Sequence, residues 1–268
     1  MDFLTLFGLL GCIAMLTLSM VSGNLMRPFL NLHGFTIVVA GTLLATTTHC
    51  SRSELAAVAR AFGSLFVAPK HKTPEELIPV LVSISRRARE RGMRAIENAG
   101  AEVDDGGFLT RALDIAIACG EHAAALVALE REINSVRSRH REVVNIIRTM
   151  GTLSPMFGLL GTLLGIVGVL SNLTDIAKVG PAMAVAISSA FYGIGFSNML
   201  CLPAAGKLRS RSLAEMLARE VTMVGVLDIV YKQRAPMVLE MVLQSYLQHR
   251  REETAQAAAG AAEPAPAA

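Results

Sequence analysis

The sequence predicts an all-α integral membrane protein: four transmembrane helices, a large helical cytoplasmic insert between helices 2 and 3, and a cytoplasmic C-terminal helix. Three observations predict it. The 268 residues are 52% hydrophobic and only 18% charged, where a soluble domain carries about 25% charged residues. The excess apolar content is gathered in four long blocks. The basic residues avoid the two short connections between those blocks: residues 51–150 hold 15 of the 25 Lys and Arg, residues 204–268 hold 8, and the short connections hold one each, Arg27 and Lys178.

Each block is taken in order against the roughly 20 apolar residues that a helix needs to cross a bilayer. Phe3 to Val21 is an apolar run, and its Met1-Asp2 flank and lack of a small-x-small site argue against a cleaved signal peptide. Leu32 to Cys50 is richer in Thr and Gly, with His33 and His49 near its ends. Thr149 to Thr174 and Val179 to Gly206 contain no Asp, Glu, Lys or Arg. The positive-inside rule places both basic segments, and so both termini, in the cytoplasm. Lys207, Arg209 and Arg211 directly after the last block carry this argument most strongly.

The predicted organisation is therefore residues 1–50, transmembrane helices 1 and 2; 51–150, a cytoplasmic helical domain; 151–206, transmembrane helices 3 and 4; 207–253, a cytoplasmic C-terminal helix; and 254–268, a disordered Ala/Pro tail. In the insert, Pro74-Glu75-Glu76 after Thr73 reads as a helix start with its N-cap. Leu77, Val80, Leu81 and Ile84 then recur at helical spacing. Gly106-Gly107 and Gly120 read as breaks, and from Ala123 the pattern runs into the third block. Lys207 to His249 reads as a continuation of the fourth, with Pro236 as the bend.

The composition excludes several classes of function. A net charge of +3 gives no basis for nucleic-acid binding. Cys12, Cys50, Cys119 and Cys201 are scattered, as are the six histidines, so no metal site or cofactor is expected. There is no nucleophile–base pair, paired carboxylate or phosphate loop, and no enzyme is expected.

The spans carry two chemical signals. Gly158, Gly161, Gly165 and Gly168 share one helix face and predict close helix packing in lipid. No Asp, Glu, Lys or Arg lies in the interior of any span, although ion pathways normally use such a group. The chain is therefore either a passive scaffold or one wall of a pathway whose carboxylate comes from a partner.

Three motifs carry a family resemblance. Ser154-Pro155-Met156-Phe157-Gly158-Leu159-Leu160-Gly161-Thr162, then Gly180-Pro181-Ala182-Met183-Ala184-Val185-Ala186 leading to Phe191-Tyr192-Gly193, then Pro203-Ala204-Ala205-Gly206-Lys207-Leu208, resemble in order and spacing the flagellar stator A subunits of the MotA/PomA family. The resemblance covers about residues 1–250. It implies a pentamer around a MotB-like peptidoglycan-binding subunit, which supplies the ion-carrying Asp, in the bacterial inner membrane. It also implies contact with a rotor switch protein through Arg89 and Glu97, in a stretch similar to the family's R-x-x-G-x-x-x-x-E. Pro155 and Pro203 match the family's two prolines that couple ion binding to movement. Thr162 matches the threonine that lines the ion site, and Ala190, with Ser189 before it, falls at the fourth-helix position that is the second of two threonines in sodium-type relatives. Ala190 offers no side-chain oxygen, so the expected ion is the proton, with sodium as the alternative. The TolQ/ExbB energisers of outer-membrane processes share the last two spans but usually have one span before the cytoplasmic region. They remain the competing reading, beside a non-conducting scaffold.

Overall fold

The computed structural model describes residues 3–23, 29–65, 67, 72–96 and 107–260, and every regular element among them is helical. Nine α-helices follow in order: α1 (Phe3–Ser22), α2 (Leu32–Thr47), α3 (Arg52–Ser64), α4 (Pro74–Arg91), α5 (Phe108–Cys119), α6 (His122–Leu170), α7 (Ile176–Gly195), α8 (Leu202–Leu227) and α9 (Pro236–Gly260). Two π-helical turns, Phe196–Cys201 and Asp228–Lys232, join α7 to α8 and end α8.

The chain divides into two compact units. A span unit holds residues 1–68 and 139–210, and an insert unit holds 69–138 and 211–268. This differs from the expected boundaries. Residues 51–65 and 139–150 pack with the spans because Val58 of α3 and Leu65 just after it bury themselves against Ile147, Met150, Cys201 and Ala204. Residues 211–253 pack with the insert, where Val221, Leu239 and Leu243 enter one core with Leu81, Phe108 and Leu129.

Local chemistry explains the helix ends. Ser51 starts α3 and Thr73 starts α4, each with a complete capping box to Glu54 and Glu76. Gly107 and Gly120 bracket α5 with φ of +74° and +67°, a backbone region that glycine enters without penalty. α6 runs unbroken for 49 residues, as the absence of a breaker after Ala123 predicts. Pro236 does not bend a continuous helix. α8 stops in its π-helical turn, Gln233 takes φ +48°, and α9 starts afresh at Pro236. α9 reaches Gly260, past Thr254, where a disordered tail is expected; residues 261–268 lie outside the described residues.

His122–Leu170 and Ile176–Lys232 are long and apolar enough to cross a membrane, whereas the apolar stretches Leu10–Ser22 and Leu32–Thr47 are shorter. The open surface of the span unit is apolar: Leu18, Leu159, Leu163, Val167 and Ile187 are all more than half exposed. Such a surface suits lipid or neighbouring subunits and costs free energy in water.

Candidate functional site

The predicted glycine face does form the seam between α6 and α7. A Cβ added at Gly168 would meet Ala182, one at Gly165 would lie 2.6 Å from both Cβ and backbone N of Ala186, and one at Gly161 would overlap the Ser189 side chain. At Gly158 it would meet the Ser189 carbonyl at 3.0 Å and the Gly193 and Ala190 α-carbons at 3.3 and 3.4 Å. Numbers rise along α6 as they fall along α7, so the two helices are antiparallel. Only hydrogen at these positions lets the backbones come this close.

α2 closes one side of the pair. Gly34 lies against Ser188 and Ser189, and Gly41 lies against Phe157. Asn31 caps α2 by accepting from the amides of His33 and Gly34. Tyr192 donates its hydroxyl to the Phe29 carbonyl and stands edge-on to Phe35 at 5.6 Å. Within α2, Thr42 and Thr46 return their buried hydroxyls to Val38 and Thr42 carbonyls at 2.7 Å.

The three residues expected to line an ion pathway are placed unequally. Ser189 is fully buried and donates to the Val185 carbonyl at 2.7 Å. Thr162 and Ala190 are half-buried, and the Thr162 hydroxyl donates to the Leu159 carbonyl at 2.6 Å. Each follows by one residue a position in the seam, Gly161 and Ser189. On antiparallel right-handed helices that step turns both towards the same side, away from α2. The structure thus brings Thr162 and Ala190 onto one open side of the hairpin and keeps Ser189 inside it.

The prolines sit in a local exchange of hydrogen bonds. Pro155 has no N–H, so it cannot donate to the Gly151 carbonyl one turn back. Ser197 of the π-helical turn donates its hydroxyl to that carbonyl at 2.6 Å. In return, Ser154 donates to the Gly193 carbonyl at 2.9 Å. Pro203 stands two residues past the end of the π-helical turn, where the ladder has already shifted so that the Leu202 amide donates to the Ser197 carbonyl. Pro155 is half-buried beside Gly193, and Pro203 is exposed. Ser154 and Ser197 were not singled out by sequence; the cue available was a serine next to each proline-bearing stretch.

In the insert unit, Arg89 is exposed in the last turn of α4, and Glu97 lies outside the described residues. No local sequence pattern marks the cluster around Glu220. Its carboxylate accepts from Arg137, from Arg250 at 3.0 Å and from the Tyr246 hydroxyl at 3.2 Å. Burial raises the Tyr246 hydroxyl above the ordinary tyrosine value of 10.0 and Glu220 adds to it, against the lowering effect of Arg250. The contribution of neutral Tyr246 to stability is present in full below that value and is lost as pH rises beyond it. The hydrogen bond that Arg250 donates to the Tyr246 hydroxyl holds its guanidinium more firmly protonated than usual.

Residues 101–221 match the model of the MotA/TolQ/ExbB proton channel family. The chain is 33% identical over 247 residues to chemotaxis protein PomA of Vibrio alginolyticus, covering 92% of this chain and 96% of that one. It is 31% identical over 248 residues to motility protein A of Bacillus subtilis, covering 92% and 91%. The chain belongs to the motility protein A/PomA family. The structure of the flagellar MotAB stator complex from Bacillus subtilis superposes with a TM-score of 0.82 at 30% identity, over 93% of this chain and 97% of that one. As a motility protein A/PomA homologue, the chain is a flagellar stator subunit of the ion-channel type. The resemblance read from Ser154–Thr162, Gly180–Gly193 and Pro203–Leu208 is thereby borne out, and the flagellar branch stands over the TolQ/ExbB one.

Proposed function

We propose that this subunit forms, with a MotB-like single-span partner, a proton channel that turns ion flow into torque on the rotor. In this reading the chain crosses the bacterial inner membrane four times with both termini in the cytoplasm. Several copies, in the family's manner five, surround the partner, and the insert unit meets the rotor switch protein through Arg89 and Glu97.

The observation that carries the reading is the open side of the α6–α7 hairpin. It bears Thr162 and Ala190 among apolar residues, and no span of the sequence contains an internal carboxylate. A partner helix packed there supplies the ionisable group, and Thr162 is the hydroxyl beside it. An elementary charge moving down the membrane potential releases about 2.3 kcal/mol per 100 mV, comparable to one helix-packing contact. The proline segment, where side-chain hydroxyls replace backbone donors, is where the hairpin yields to such a force.

Protons rather than sodium follow from the oxygen count. Sodium needs several oxygen ligands in place of its water; Ala190 offers none, and the Ser189 hydroxyl is turned into the seam between helices. The test is swimming speed of a deletion strain complemented with this chain, across a sodium series at constant proton motive force. Speed that ignores sodium is the expected result. Speed that rises with sodium overturns the ion assignment and leaves the stator reading, and no rescue of a non-motile deletion overturns both.

A further inference from the structure

We infer that the open face of α3 is a binding surface for anionic phospholipid headgroups of the cytoplasmic leaflet. The inference rests on the proposed topology, which puts the end of α2 at that leaflet. α3 begins five residues after α2 ends, at Arg52 after Thr47. It is anchored at span-end level by Val58 and Leu65, which pack on Ile147 and Met150 of α6 and on Cys201, Ala204 and Ala205.

The opposite face of α3 has a definite chemistry. Arg52, Ala56 and Arg60 recur every four residues and are all exposed, with Ala59 and Gly63 beside them. Small residues between two guanidinium groups leave room for a phosphate to approach both. The helix's one acid does not neutralise them: Glu54 is held by the Ser51 amide at 2.7 Å in the capping box. Arg60 donates only to its own helix, to the Ala56 carbonyl at 3.3 Å. Among the described residues, neither arginine has an acidic partner. Leu55 and Val67, both exposed, supply apolar surface beside the charges, as interfacial segments do.

The charge balance of the two units points the same way. The span unit holds nine Lys and Arg against four Asp and Glu, a net +5, while the insert unit holds sixteen against eighteen, a net −2. The span unit's excess is the sign that attracts the anionic leaflet, and each basic residue near that surface adds about 1 kcal/mol, or about fivefold in lipid preference.

The test compares the full chain with the variants Arg52→Gln/Arg60→Gln and Arg86→Gln/Arg131→Gln in nanodiscs of phosphatidylcholine containing one-fifth phosphatidylglycerol. The second pair removes the same charge from exposed positions of the insert unit. The readout is the ratio of the two lipids retained by the purified protein in native mass spectrometry. Wild type and the insert-unit pair are expected to retain phosphatidylglycerol preferentially. The α3 pair should lose the preference, by about fivefold per arginine, and Arg52→Lys/Arg60→Lys should restore it. Equal preference in wild type and the α3 pair overturns the inference. So does an equal drop in both Gln pairs, or a preference in wild type that survives 1 M salt. If the wild-type chain does not insert into nanodiscs at all, the topology reading fails instead.

Discussion

The span unit and the insert unit each take one part of α6 and of α8, yet they cohere by different physics. In the span unit backbone approaches backbone too closely for a side chain to intervene at Gly165 and Gly193. Hydroxyls there bond to carbonyls, as Ser154 and Ser197 do. In the insert unit the contacts are between large side chains such as Leu81, Phe108, Leu113 and Leu243, with charges paired around Glu220. The difference follows the solvent. Burying a leucine is favourable against water, but lipid is as apolar as the leucine, so helices there associate through close approach and internal hydrogen bonds.

That contrast breaks most sharply at Gly165. Gly165→Leu would drive its side chain into the Ala186 backbone, at a cost of about 3 kcal/mol or more. Membrane insertion without swimming, and loss of a protease-resistant span fragment, are the expected results. Gly206→Ala, which meets nothing within 4 Å, should behave as wild type. A swimming Gly165→Leu strain would refute the seam.

Leu81→Ala makes the complementary cut. It leaves a cavity in a fully buried core site, worth about 3 kcal/mol. Thermal melts should show an early transition in the insert unit, with the span fragment still resistant to protease. Simultaneous loss of both would mean that the units do not fold apart.

Glu220→Gln removes the carboxylate that Arg137 and Arg250 share. With a side chain 12% exposed, the expected destabilisation is about 2 kcal/mol, read as a lower melting temperature whose gap from wild type narrows at high salt. An unchanged melt would show that the cluster is held by packing alone.

Thr162→Val sharpens the comparison from the other end. The hydroxyl bonds only within its own helix, so stability should change by less than about 0.5 kcal/mol, while torque falls. A stable protein with wild-type torque would remove Thr162 from the pathway.

Much of this could be read along the chain. The N-cap at Thr73, the breaks at Gly107 and Gly120 and the glycine face of α6 are local patterns, and local patterns survive folding. The Pro236 bend failed because the break was made upstream, by Gln233 in a left-handed conformation, which glutamine does not advertise. Glu220 and Arg137 are 83 residues apart, and no periodicity connects them. Ser189 and Thr162 look equivalent in sequence, but which hydroxyl meets the open side depends on a one-residue step across two antiparallel helices. The allocation of α3 to the span unit was likewise hidden, since its arginines resemble those of the insert.

The π-helical turn at Phe196–Cys201 also bears on how this family tolerates length change. Such a turn holds one residue more than the α-helical ladder requires. Deleting a single residue there would absorb the bulge into a regular helix and leave each position from Leu202 to Ser210 close to its present face, whereas the same deletion in a regular turn would swing them by about 100° around the axis. Ala204 and Ala205 would keep their buried sites, while Ser197, inside the turn, would be displaced from Gly151. An alignment would record one gap inside an apolar run, while the protein would have lost the cross-bond that replaces the missing donor of Pro155.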